Sequence, residues 1–439
     1  MAGSVAPEFA HIINGKAVFS ERTAAIVNPA TGQHLADVPI ASEQQLDDAV
    51  DAAQEAFPAW ASKTYEQRAN VLLEMANIIE TRADDYKRLL TAEQGKPYRE
   101  AFLEIMGSAH FLREASRLRI PETVHEDTPS RKVISQHVPL GVTVAIVPWN
   151  FPILLAAWKI GPALLAGNTV LVKPSPWTPL TTLRIVADLQ CVLPDGVLSV
   201  LSADDQLASS ITAHPKIKRA IPTGKKVMQN ASLHLKRITL ELGGNDPMII
   251  LPSVDPATIA HTFAKPSPEQ RPILHRRFDK LRDIFEDTKT RGCKFALGGD
   301  FPENHEPDAG KTDHRGLFVP VTIVDNPPED SRIVQEEQFG PILPLLSWKD
   351  EWDVVRRANG TPYGLGASVW GDDLTQAARI ASQMEAGNIW INEIHTFGPT
   401  IPGGGHKQSG IGVENGIEGL SEWTNIQTVS MNKAGITPM

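Results

Sequence analysis

Residues 141–176 read G-V-T-V-A-I-V-P-W-N-F-P-I-L-L-A-A-W-K-I-G-P-A-L-L-A-G-N-T-V-L-V-K-P-S-P, and this stretch decides the fold. Residues 141–147 are continuously apolar and rich in β-branched side chains, the pattern of a strand buried on both faces. Residues 153–166 carry a helical apolar pattern that Gly167 closes. Residues 169–172 are a second short strand. A strand, a helix and a strand in succession predict a parallel pair with a right-handed crossover. The alternation continues with a helix over 179–192 and a strand over 197–201. Ligands on such sheets bind at the carboxyl ends of the strands. Residues 148–152 and 173–176 lie at those ends.

Upstream, residues 11–40 read as short strands, with Asn14-Gly15 as a hairpin turn. Ser42 with Gln45, and Thr64 with Gln67, form capping boxes that open two helices. Helical periodicity runs to about Leu118, and residues 131–138 form an extended ribbon. Downstream, I-T-L-E-L-G-G-N over 238–245 delivers one carboxylate, Glu241, on an apolar run. Apolar neighbours disfavour a charged carboxylate, so Glu241 is expected nearer neutral pH than a surface Glu, as suits a general base. The two glycines let backbone approach a substrate or cofactor closely. A second α/β region follows, with helices over 278–291 and 374–384. Its strands are expected over 319–324, 344–347, 367–370 and 388–392, before a final ribbon at 424–431. Residues 265–277, rich in proline and charge, look like a seam.

The chain has 439 residues and a net charge of −10, which argues against nucleic acid and anionic membranes as partners. No apolar run reaches membrane-spanning length, and no secretory signal is visible. Two cysteines fit a reducing cytoplasm rather than a disulfide framework. No His, Cys or carboxylate spacing suggests a metal site.

Four motifs occur in order: P-W-N-F-P at 148–152, L-V-K-P-S-P at 171–176, E-L-G-G at 241–244 and E-Q-F-G-P at 337–341. Together they resemble the aldehyde dehydrogenase superfamily from near residue 10 to near residue 430. The resemblance implies a three-layer α/β fold with two Rossmann-like parallel-sheet domains and an oligomerisation ribbon. The implied domains are a nucleotide-binding domain (1–240, with ribbon 123–139), a catalytic domain (241–420) and a terminal strand and tail (421–439). It implies oxidation of an aldehyde to an acid with NAD or NADP, in a homo-oligomer, dimer or tetramer. Glu241 would be the base and Asn150 the oxyanion donor. Trp149, Lys173, Ser175, Gly224, Leu242, Glu337 and Phe339 would line the cofactor. Relatives that prefer NAD place Glu where this chain has Pro176, so the choice of NAD or NADP stays open. The loop at 403–410, G-G-G-H-K-Q-S-G, resembles the family's glycine loop.

Two departures stand against the pattern. The family nucleophile, a cysteine in a G-Q-x-C segment, is absent, and a block of several tens of residues is missing between Pro256 and Phe278. The second domain is therefore shortened. Cys191 and Cys293 read as small buried hydrophobes. At 218–226 the family's pyrophosphate loop is reduced to Thr223 and Gly224, so weaker dinucleotide affinity is expected. The chain should be slow or inactive as a dehydrogenase. The alternative is a non-catalytic partner of an intact relative, or a decayed one.

Overall fold

A computed structural model describes residues 9–221, 224–263, 275–302 and 317–435. The strand Val142–Ile146, the helix Pro152–Leu165 and the strand Thr169–Lys173 form the predicted parallel crossover. Every residue of Thr169–Lys173 is buried, as expected for a strand covered on both faces. These strands belong to a seven-stranded sheet, parallel from the short strand Arg237–Ile238 through Leu198–Val200. The Asn14-Gly15 hairpin (His11–Ile13, Lys16–Val18) extends it antiparallel. Asn14 and Gly15 both have positive φ, 50° and 73°, as the tight turn requires.

Helices Glu43–Ala61 and Tyr65–Thr81 open with the two predicted capping boxes, both complete. The helix expected over 179–192 ends at Leu189 and finishes as a 3-10 turn, Gln190–Val192. That turn leaves Cys191 exposed, contrary to the buried position expected of it. Cys293 packs against the core around Phe278 and Phe285.

The second region is less continuous. Strand Met248–Ile250 pairs with Gly366–Trp370, which pairs with Asn388–Ile391, all parallel. A separate three-stranded sheet joins Lys294–Leu297, Thr322–Asp325 and Ile342–Leu345. The strand expected over 319–324 begins only at Thr322, because Pro320 has no N–H for the ladder. The predicted seam at 265–277 lies outside the described residues up to 274.

Another three-stranded sheet pairs Thr424–Asn432 with Arg131–Pro139, nine residues in register, and Arg131–Pro139 in turn pairs with Thr123–Asp127. Asn168 ties this ribbon to the first sheet. Its Oδ1 accepts from the N–H groups of Leu140 and Gly141, and its Nδ2 donates to Trp423 O at 2.9 Å.

Candidate functional site

The stretch that carries Glu241 crosses between sheets. Ile238 still pairs in the first sheet, while Leu240 and Glu241 pair with Ile411 and Gly410. A Cβ on Gly410 would lie 2.2 Å from Leu240 O, so only glycine permits this pairing. The glycine loop at 403–410 therefore serves the strand that holds Glu241. It also brings Glu414 alongside.

Lys159 is the only charged residue of the helix Pro152–Leu165, and its side chain is 1% exposed. Its ammonium donates to Glu241 Oε2 at 3.0 Å and to Glu414 Oε2 at 3.2 Å. Burial acts to push the Glu241 carboxyl up, but the Lys159 charge, with hydrogen bonds from Glu414 and Lys159, holds it below the usual carboxylate range. The upward shift expected for Glu241 falls on its neighbour instead. Burial and then the Glu241 charge push Glu414 up to about 8. At neutral pH the cluster thus holds an ammonium, a carboxylate and a carboxylic acid that hydrogen-bonds the carboxylate. The Glu241 side chain keeps 30% exposure, so its carboxylate stays accessible.

The turn Pro148–Pro152 enters the same helix. Glu104, buried in the helix Tyr98–Ala115, accepts from the N–H groups of Ile153 and Leu154 at 2.9 and 3.2 Å. Lys96 pairs with Glu104, donates to Asn150 O at 3.1 Å and sits 4.3 Å from the Phe151 ring centroid. The backbone around Asn150 is thereby held by a buried ion pair as well as by two prolines. Among the described residues the Asn150 side-chain amide has no hydrogen-bond partner, which leaves it free to donate.

Opposite this turn, the Trp149 and Phe339 rings lie 4.9 Å apart. Phe339 has φ 49°, a left-handed conformation that costs energy for a bulky residue and marks a constrained site. Glu337 accepts from the Gly244 N–H at 3.1 Å, and a Cβ on Gly243 would come within 3.0 Å of its Oε2. The E-L-G-G glycines were expected to admit a substrate or cofactor; here they admit the Glu337 carboxylate. Arg277 reaches the other side of that carboxylate, Nη1 to Oε2 3.6 Å.

The Aldehyde dehydrogenase family profile matches residues 18–267 and 271–429. The chain belongs to the aldehyde dehydrogenase family. FUS7 of Gibberella fujikuroi, itself a proposed aldehyde dehydrogenase, is 36% identical over 457 residues, covering 97% of this chain and 99% of that protein. Aldehyde dehydrogenase LUC3 of a Fusarium species is 34% identical, with the same coverage of each chain. A Bacillus cereus aldehyde dehydrogenase solved with NAD+ superposes with TM-score 0.90 at 28% identity, covering 97% of this chain and 96% of that one. The fold is the α/β fold of aldehyde dehydrogenases. The profile match breaks at residues 268–270, within the Pro- and charge-rich seam.

Trp149, Phe339, Glu337 and the Glu241 stretch form one connected wall, and Asn150 follows Trp149 directly. Leu242 donates its N–H to Ser409 O at 2.8 Å, which fixes the backbone beside Glu241. Lys173 and Ser175 lie at the end of the first sheet, where Lys173 O accepts from the Val147 N–H at 2.9 Å, two residues before Trp149. Lys173 is buried, and burial holds its ammonium below the usual lysine range. Among the described residues its Nζ has one hydrogen-bond partner, Pro174 O at 3.4 Å. A buried, under-partnered ammonium suits the hydroxyls of a nucleotide's ribose. Gly224 precedes the helix Lys225–Ser232 with φ 120°. Thr223 lies outside the described residues. Lys173 thus keeps donor capacity to spare, while Arg277 already engages the Glu337 carboxylate.

Motif reading missed Lys159, Glu414, Lys96, Glu104 and Arg277. A signal existed for Lys159: a lone charge in an otherwise apolar helix must be buried with a partner. No local pattern announced Glu414, which lies 255 residues from Lys159. Among the described residues no group of His, Cys, Asp or Glu is placed to hold a metal ion, and no helix is long and apolar enough to cross a membrane.

Proposed function

We propose that this chain is an NAD(P)-binding aldehyde dehydrogenase whose oxidation of aldehydes to carboxylic acids runs far below ordinary enzyme pace. The Lys159–Glu241–Glu414 cluster supports the reading, standing beside the Asn150 turn with no thiol on either element. The chain has two cysteines. Cys191 lies on the 3-10 turn Gln190–Val192, and Cys293 precedes the strand Lys294–Leu297. Neither element contributes to the wall around Glu241.

Lys173, Ser175 and Gly224 are the candidates for holding the nucleotide, with Glu337 and Phe339 toward its nicotinamide end. The nucleotide, when bound, supplies the hydride acceptor. Glu241 is charged at neutral pH and can take a proton from water as that water adds to the aldehyde carbon. Lys159 holds the base in place, and the Glu414 acid keeps the cluster electrically neutral. The Asn150 amide donates to the oxygen that gains charge. Without a sulfur to form the covalent adduct, this slower hydration replaces nucleophilic catalysis.

The test is purified protein with small aliphatic and aromatic aldehydes and either NAD or NADP, followed by the absorbance of reduced nucleotide. Turnover well below one-tenth of an ordinary value of about 10 per second is expected. A rate within tenfold of that value would overturn the reading.

A second reading is supported by the ribbon strand Thr424–Asn432, whose Ile426 and Met431 are exposed at 68% and 55%. It makes the chain a non-catalytic partner in an oligomer, with itself or with an intact relative. Native mass measurement with and without such a relative tests it; a strict monomer in both cases removes it. The same reading divides the chain at 240/241 and 420/421, and its two free thiols accord with a reducing cytoplasmic setting.

A further inference from the structure

Arg277 is held in place by the core behind it. It lies near the start of the helix His275–Thr290, whose Phe278, Leu281, Ile284 and Phe285 are all buried. The guanidinium carbon lies 4.9 Å from the Phe339 ring centroid and 5.8 Å from that of Trp149. Its Nη1 lies 3.6 Å from Glu337 Oε2. One planar cation thus contacts two aromatic rings, themselves 4.9 Å apart, and one carboxylate. An oxidised nicotinamide riboside would make the same set of interactions. Its ring is a flat cation suited to aromatic faces, and its ribose hydroxyls are donors suited to a carboxylate.

We propose that Arg277 is an internal stand-in for the nicotinamide end of the cofactor, so that the chain takes an adenine nucleotide lacking that end as readily as the whole dinucleotide. This rests on the nucleotide-binding reading above. A dinucleotide must displace the guanidinium from Glu337, Phe339 and Trp149 to seat its second half. The interactions gained by the incoming ring and ribose then replace those lost by Arg277, with little net gain. ADP reaches only the Lys173 end and meets no such competition. Arg277 therefore sets which nucleotides the chain distinguishes.

The experiment is calorimetric titration of the full chain with ADP and with NAD+, for the native protein, Arg277→Ala and Arg277→Gln. Melting curves show that each variant is folded, and the Gln variant serves if the Ala variant loses its transition. In the native protein the two dissociation constants should agree within about threefold. In the variants NAD+ should tighten about tenfold while ADP stays unchanged, since a charge pair and two cation–aromatic contacts no longer compete. If ADP binds and the ratio of the two constants is the same in native and variant proteins, the stand-in role is overturned and the nucleotide reading survives. If neither protein binds either nucleotide, both fall together.

Discussion

The two halves of the molecule meet at Leu240 and differ in how their strands are satisfied. On the amino side, a seven-stranded sheet runs unbroken, and its central strands Val142–Ile146, Thr169–Lys173 and Leu198–Val200 are almost wholly buried. On the carboxyl side, six of the described strands fall into two separate three-stranded sheets, and Ile342–Leu345 exposes Leu343 and Leu345 at 46% and 52%. The first half is built on that one continuous sheet. The second carries Glu241, Glu337 and Phe339 among smaller sheets, and the match to the family breaks within it at 268–270. The charged cluster spans both halves, because Lys159 on the amino side holds Glu241 and Glu414 on the carboxyl side.

The largest test of this comparison is Lys159→Met. The methionine fills a similar volume but leaves Glu241 and Glu414 without their cation, and removing one partner of a buried ion pair costs about 3–5 kcal/mol. Urea denaturation should show a loss of that size. A loss below about 1 kcal/mol would mean the two halves are not tied together at this point.

Next in size is a contrast in amide exchange. Amides of Val142–Ile146 and Thr169–Lys173 should open only with global unfolding, whereas those of Ile342–Leu345 and Lys294–Leu297 open locally. A difference of at least about a hundredfold in protection is expected, about 2.7 kcal/mol of opening free energy. Equal protection would show that the split sheets are as well covered as the intact one, and the contrast drawn above would be broken.

The halves also differed in how far their sequences could be read. The first was legible almost element by element, because its signals are local: the capping boxes at Ser42 and Thr64, the turn at Asn14-Gly15, and the buried strands around Trp149. The site was legible where a motif holds its own neighbours, as E-L-G-G and E-Q-F-G-P do. It was illegible where charges pair across the chain. Lys159 reaches Glu241 82 residues away, and Glu414 at 255. The ionisation of Glu241 was therefore misjudged: its apolar flanks were visible, but the lysine that outweighs them was not. Cys191 was misplaced for a related reason. Its helix was expected to run on to Val192, and the 3-10 turn from Gln190 rotates it outward.

The effect most specific to the boundary between the halves is small at each step of pH, a slope rather than a jump. Glu414 moves from an ordinary 4.5 to about 8 in the folded protein. Between those values the folded chain keeps a proton on Glu414 that the unfolded chain releases. Stability rises with pH only where the unfolded state binds more protons, so here it falls as pH increases from 4.5 toward 8. The slope cannot exceed about 1.4 kcal/mol per pH unit for one proton. Glu93, buried beneath the helix Leu180–Leu189 and raised to about 7, adds a slope of the same sign over the lower part of the window. The comparison is therefore between the native protein and Glu414→Gln, which cannot titrate at that position. Denaturation midpoints measured at intervals from pH 5 to 8 should decline more steeply for the native protein, and the two curves should diverge across the whole interval. Parallel curves would mean that Glu414 is already charged in the folded chain. The neutral acid would then be absent from the cluster, and Lys159 would face two carboxylates with a single positive charge.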